Sequence, residues 1–288
     1  MADWPPFSGL RSETFNVATG TPGVFNTVTS SATANAKGPW TQLSAATGFE
    51  ATAMLLHINT SFNDTRYLID IGIGAAGSEQ VIVPNLQVGI PTGIAVSVLL
   101  PLNIPAGVRL AARSQDNFGS SGSSISGTLY AGGWATGPSF SSMTDYGANT
   151  ATSGGTTVDA GATANTKGAY SQLVAATTYA HKAIMIAAMR PTPATAMASD
   201  YAQLADLAVG ASGSEQILLP NLRFIAAIAS GGASGSPLAY TGRGALNPEI
   251  VPPLLCDIPA GSRLAMRQQS SSTNATDRTC SYVVYGLN

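Results

Sequence analysis

One stretch of this 288-residue chain is written twice, and that constrains its fold more than any other feature. The run Asp70-Ile71-Gly72-Ile73-Gly74-Ala75-Ala76-Gly77-Ser78-Glu79-Gln80-Val81-Ile82-Val83-Pro84-Asn85-Leu86 returns as Asp206-Leu207-Ala208-Val209-Gly210-Ala211-Ser212-Gly213-Ser214-Glu215-Gln216-Ile217-Leu218-Leu219-Pro220-Asn221-Leu222, an offset of 136 residues. That period is too long for a solenoid unit and suits a duplicated domain. The chain therefore reads as two copies of one fold.

Other pairs extend the match. Asn35-Ala36-Lys37-Gly38-Pro39-Trp40-Thr41-Gln42-Leu43 has the counterpart Asn165-Thr166-Lys167-Gly168-Ala169-Tyr170-Ser171-Gln172-Leu173, and Ile104-Pro105-Ala106-Gly107 precedes Arg109 as Ile258-Pro259-Ala260-Gly261 precedes Arg263. Between these marks lie short apolar runs, Ala53 to Ile58 and Ala183 to Ala188, each fit for a strand buried on both sides. In Tyr67 to Ile73 apolar residues alternate with Leu68, Asp70 and Gly72, the period of a half-buried strand, and the return strand Gln80 to Val83 is expected to end at Pro84. Gly and Pro punctuate each copy into seven or eight such strands, and no stretch sustains a helical period. The expected fold is all-β: two tandem homologous β-sandwich domains, jelly-roll-like, with an N-terminal extended arm. Residues 1–25 form the arm, 26–138 the first sandwich, 139–155 a linker, and 156–288 the second sandwich. Offsets growing from 130 to 136 to 154 place extra residues in the second copy near Arg190 to Ser199 and in an inserted loop at about 223–253.

Composition narrows the function classes. Charged residues make up 10% of the chain against a usual share of about 25%, and a net charge of −2 offers no basic stripe, so no nucleic-acid partner is expected. The most apolar window, Ile90 to Leu110, is broken by Pro91, Pro101 and Pro105 and reads as no membrane insertion. The opening Met1-Ala2-Asp3-Trp4-Pro5-Pro6 has neither the basic nor the apolar region of a signal peptide. Cys256 aligns with Leu102, and Cys280, when Tyr285 is set on Tyr130, with Ile125. Apolar counterparts favour buried free thiols, with a disulfide left open.

The duplicated Asp70 and Glu79, with Asp206 and Glu215, invite a calcium reading, but the motif offers few oxygens beyond Ser78 and Ser214 where such an ion takes six to eight. A structural reading is stronger: Asp70 pairs with Arg109 or Arg113, and Glu79 satisfies amides of a turn bent at Gly74 and Gly77, as at Gly210 and Gly213. Arg109 and Arg113, like Arg263 and Arg267, share one strand face and are candidates for an interface or for pairing within the sheet. The two histidines, His57 and His181, occupy non-equivalent places, so no repeated general base exists. Gly72-x-Gly74-x-x-Gly77 spells a dinucleotide fingerprint but runs into a β-branched stretch instead of a helix. Trp40 and Tyr170 can be drawn as a sugar-stacking platform, though aromatics at matching strand starts are usually core. No catalytic residue, metal or cofactor is expected.

Taken together, the Trp/Tyr-x-Gln-Leu strand, the Asp-Ile-Gly-Ile-Gly-Ala-Ala-Gly-Ser-Glu-Gln turn with its Pro-Asn-Leu, and Ile-Pro-Ala-Gly-x-Arg-Leu-Ala resemble structural proteins of tailed bacteriophage virions. The resemblance covers most of both copies. It implies a β-rich, non-enzymatic subunit of the virion, made in the host cytoplasm without a signal peptide. Within that class it implies a tail fibre or collar component anchored by the arm. The alternatives are a capsid decoration protein (cement or head fibre) and a carbohydrate-binding receptor-recognition module. The implied partners are other virion proteins, further copies of the chain in a closed homo-oligomer, a trimer by preference, and a host surface glycan. Candidate interface residues are Trp4 in the arm, Ser230, Tyr240 and Arg243 in the inserted loop, and the four strand arginines.

Overall fold

The computed structural model describes residues 11–16, 27–60, 65–90, 95–132, 138–189, 201–226, 246–247, 250–275 and 277–288. Trp4, Ser230, Tyr240 and Arg243 lie outside the described residues.

Alternating apolar and polar residues, cut by glycine and proline, fold here as antiparallel strands with no helix among the described residues. In the first half β9 (Gly122–Ala131) carries β1 (Arg11–Phe15) and β2 (Thr27–Thr29) on one side and continues to β4 (Ala53–Thr60) and β7 (Ala95–Leu100) on the other. The facing sheet runs β3 (Thr41–Ser44), β8 (Leu110–Asp116), β5 (Thr65–Ile73), β6 (Gln80–Ile90). Counted from β2, the sheet orders are first-eighth-third-sixth and second-seventh-fourth-fifth, the strand order of a jelly roll.

The second half repeats it. β19 (Thr279–Leu287) carries β10 (Met143–Tyr146) and β11 (Thr156–Asp159) and continues to β13 (His181–Met189) and β17 (Ile250–Ile258). The facing sheet runs β12 (Ser171–Val174), β18 (Leu264–Ser270), β14 (Tyr201–Val209), β15 (Gln216–Ala226), with β16 (Leu246–Asn247) added at the end of β15.

Four sequence expectations need correction. The stretch 139–155 carries β10, which pairs with β19 as β1 pairs with β9. The neighbouring Phe140 bonds the first half through Pro101 and Asn103, while Ser141 and Ser142 bond the C-terminal Asn288, so the segment is fastened to both sandwiches. Second, the return strand does not end at Pro84: β6 is eleven residues long, and Pro84 sits in a bulge of an edge strand, where its missing N–H costs no ladder bond. Third, Val158 faces Cys280 as Val28 faces Ser123, so Cys280 stands opposite Ser123 and not Ile125; the matching tyrosines misled the alignment by two residues, which keeps the same strand face. Fourth, only the second of the two apolar runs is buried on both faces. β13 buries Ile184, Ile186 and Ala188 in its own sandwich and Ala183, Met185 and Ala187 against the first one. On β4, Leu55 and His57 of the outer face stay half-exposed.

Candidate functional site

The duplicated motif folds into a polar network on the outer face of the β5 sheet. Two glycines with positive φ, Gly74 at 112° and Gly77 at 83°, bend the chain from β5 into β6, and Gly210 and Gly213 repeat this at 111° and 82°. Further along, Asn85 takes φ 46° and Asn221 φ 53°, the left-handed region that asparagine tolerates best among residues with a side chain. The bulge this creates turns the Asn85 amide toward Asp70 Oδ1 at 2.8 Å. The same oxygen accepts from Lys37 Nζ at 2.8 Å, and Oδ2 accepts from Arg113 Nε at 2.8 Å. Asp206 receives the Asn221 amide, Lys167 and Arg267 at 2.8, 2.7 and 3.0 Å.

Of the two arginines open to Asp70 in the sequence, the structure selects Arg113 and gives Arg109 to Glu79. Glu79 also accepts the Gly77 amide at 3.0 Å, so it closes the turn and ties it to β8; Glu215 does the same with Gly213 and Arg263. Arg109 and Arg263 further reach Gln42 and Gln172 on the next strand. Trp40 and Tyr170 are not core. Each lies half-buried on the outer face under the guanidinium of Arg113 or Arg267, 4.6 and 4.7 Å from the ring centre. A Cβ on Gly72 would come within 2.9 Å of the Trp40 ring, and where the second copy has the smaller Tyr170 it carries Ala208.

The Asp206, Glu79 and Glu215 carboxyls are held below their ordinary values. Burial alone would raise the Asp206 carboxyl, but the bonds from Lys167, the Asn221 amide and Arg267 outweigh it and hold it below its ordinary value. Glu79 is lowered in the same way, against its own desolvation, by backbone amides and Arg109. Burial lowers the Lys37 ammonium, an effect that its partner Asp70 opposes. Lys37 and Asn85 were not singled out in the sequence. Their duplication as Lys167 and Asn221 was the signal that could have found them.

The four arginines proposed for an interface are thus engaged within their own sheets, and the network binds strand to strand. Among the described residues no group of three or more His, Cys, Asp or Glu is placed to hold a metal ion. His57 meets the Ser97 hydroxyl at 2.8 Å on the exposed face, and His181 meets the Tyr146 hydroxyl at 2.6 Å in the interior, where burial lowers the imidazole. Cys256 and Cys280 are free thiols; Cys280 is buried and Cys256 half-exposed.

What differs between the copies is the fate of one edge. The β6 edge of the first sandwich packs on the outer face of the β10-β19-β13 sheet of the second. Leu86 and Val88 are fully buried on β6, beside Ile69 and Tyr67 of β5, and the same apolar cluster takes in Met185, Val283 and Tyr285 of the second sandwich. The Tyr285 hydroxyl accepts from the Gln87 amide at 2.7 Å and donates to the Asn85 carbonyl at 2.8 Å; Gln87 Nε2 reaches the Ser281 carbonyl at 3.1 Å. Nearby, Gln115 donates to the Thr150 carbonyl at 2.8 Å and Ser153 bonds Asn35 at 2.9 Å. The equivalent β15 edge, paired with β16 only at Ile225 and Ala226 among the described residues, is more exposed: Ile217 is 45% exposed, Leu218, Leu219 and Leu222 are half-exposed, and Arg223 stands exposed where Gln87 is buried.

No protein-family model matches the chain, and no curated protein sequence does. Among solved structures, the chain is similar to PNGase F, a glycosylasparaginase from Flavobacterium meningosepticum, at 14% identity and a TM-score of 0.39, covering 97% of this chain and 96% of that one. The tandem CBM22-1-CBM22-2 domain of Paenibacillus barcinonensis Xyn10C matches at 9% identity and a TM-score of 0.25, over 98% and 92%. A structure of infectious bursal disease virus, Gx strain, matches at 12% identity and a TM-score of 0.22, over 96% and 71%. The assignment of the fold rests on the strand order itself.

Proposed function

We propose that this chain is a non-enzymatic structural subunit of a bacteriophage particle, of the tail fibre or collar kind, synthesised in the host cytoplasm and anchored through its N-terminal arm. One observation carries the reading: in both sandwiches the repeated charged side chains are spent on one another, in matching pairs, to hold strands in place. The same network stands in both copies, which suits a subunit whose work is to hold its shape. The phage resemblance of the motifs supports the particle, and the tandem jelly rolls joined through a buried face suit a building block.

Copy number decides between a fibre or collar and a decoration of the shell. Quantitative mass spectrometry of purified particles is expected to find the few copies of a unique vertex or tail structure; a copy at every shell site would make it a decoration protein. Removing residues 1–10, which leaves β1 in place, is expected to abolish incorporation, and unchanged incorporation would contradict anchoring by the arm.

A further inference from the structure

The duplication supplies two edges built alike, β6 and β15, and two sheet faces built alike, that of β4 and β9 and that of β13 and β19. One edge and one face are used up within the chain, where β6 meets β10 and β13 and is bonded by Tyr285 and Ser281 of β19. Apart from the end of β15 that pairs with β16, the remaining edge and the remaining face are partners of the same kind that have no mate among the described residues. We propose that the β15 edge of one chain docks on the outer face of the β4 and β9 strands of a second copy, repeating between chains the contact that β6 makes within one.

The edge is prepared for it. Arg223 lies opposite Leu204 as Gln87 lies opposite Leu68, and Asn221 bulges the strand with the same positive φ as Asn85, so the backbone of β15 is presented as that of β6 is. Its Leu218, Leu219 and Leu222, packed on their own core, stay half-exposed where Ile82, Val83 and Leu86 are fully buried in the cluster that also takes in Met185, Val283 and Tyr285. On the face, Leu55 occupies the place of Met185 and Tyr130 that of Leu287, and Leu99, 53% exposed, is the cross-strand neighbour of Leu55. An apolar strip exposed on each side gives the contact its driving force. Thr128 stands where the second copy has Tyr285, so the hydroxyl that caps Gln87 in the internal contact has no long-armed equivalent. The contact between chains is therefore weaker than the internal one and reversible. Edge and face are different surfaces, so the association is head to tail, and it closes into a ring or propagates according to its rotation.

This deepens the assembly reading and rests on it. The test uses the purified full chain, with native mass spectrometry and light scattering over a concentration series. Wild type is expected to oligomerise. Leu222→Glu on the edge and Leu99→Glu on the face are each expected to raise the dissociation constant about 30-fold or more. Ile217→Glu, at a position already exposed, serves as a second edge variant should Leu222→Glu unfold. An equal mixture of edge and face variants retains one sound edge and one sound face, and is expected to give 1:1 dimers and nothing larger. Oligomers that persist in Leu99→Glu would mean an edge-to-edge contact or another occupant and would overturn the proposal. So would a wild-type chain that stays monomeric, as when residues 227–245 of the same chain occupy the edge. A chain found in particles yet monomeric when pure overturns this contact alone, whereas an oligomer absent from particles overturns the particle reading alone.

Discussion

β6 and β15 share a bulge, a positive-φ asparagine, a buried aspartate and a turn, and differ in what lies against them. Against β6 is a sheet face bearing Met185, Val283 and Tyr285; β15 has leucines half-exposed and an arginine in place of Gln87. The polar network is therefore a property of the sandwich, kept wherever the fold is kept. The apolar surface beside it follows the neighbour, and it is there that the copies have diverged.

Exchanging the divergent residue should have the largest effect. Gln87→Arg places the second copy's side chain at a fully buried position and strands a charge there, which is expected to cost about 3–5 kcal/mol. The reciprocal Arg223→Gln on the exposed edge is expected to stay within about 0.5 kcal/mol. Urea unfolding of the two variants checks the pair, and equal losses would erase the distinction between the edges.

Next comes packing. Leu86→Ala, at a fully buried site of β6, is expected to cost about 2–5 kcal/mol. Leu222→Ala, half-exposed, is expected to cost no more than about half as much in the dilute chain, because less surface leaves water there on folding. Denaturant midpoints of the two variants give the ratio.

The shared network predicts acid sensitivity from both halves. The Asp206, Glu79 and Glu215 carboxyls are held below their ordinary values in the folded chain, so the stability they contribute is complete above the usual carboxylate range near pH 4. It drains away as pH falls through the lowered folded values. Burial raises Asp145, which acts in the opposite sense, so its contribution relieves instead of adds to the loss. Melting temperatures between pH 6 and pH 2 are expected to drop, and less steeply in Asp206→Asn, which starts from a lower plateau.

Among the buried sites the smallest effect is expected at Cys280→Ser. The first copy has Ser123 at this place, its hydroxyl bonded to the Val28 carbonyl, while the Cys280 thiol points to the Met189 carbonyl at 3.3 Å. A hydroxyl inherits an acceptor, and a loss of about 1 kcal/mol or less should appear in thermal melts.

The repeat made the duplication, the β architecture and the turn glycines legible, because Gly74 and Gly77 answer a backbone demand that the sequence states locally. The choice of Arg113 over Arg109 for Asp70 was not legible. Both lie on one strand face, and only the register of β5 on β8, which sets Asp70 beside Arg113, separates them. β10 was hidden because Met143-Thr144-Asp145-Tyr146 sits in a stretch rich in small polar residues, and its pairing is imposed by β19 from across the sheet. Trp40 was misplaced for a similar reason: a ring under an arginine on an outer face looks, in sequence, like a ring in a core.

The covering of one edge and the openness of its twin are tested most directly by amide hydrogen exchange at Gln87 and Arg223, measured across protein concentration. Gln87 is predicted to exchange slowly at every concentration, held by the Tyr285 hydroxyl, and Arg223 to exchange fast in the dilute chain and to slow only as chains associate. Equal protection of the two amides in the dilute monomer, or a Gln87 that exchanges freely, would contradict the account.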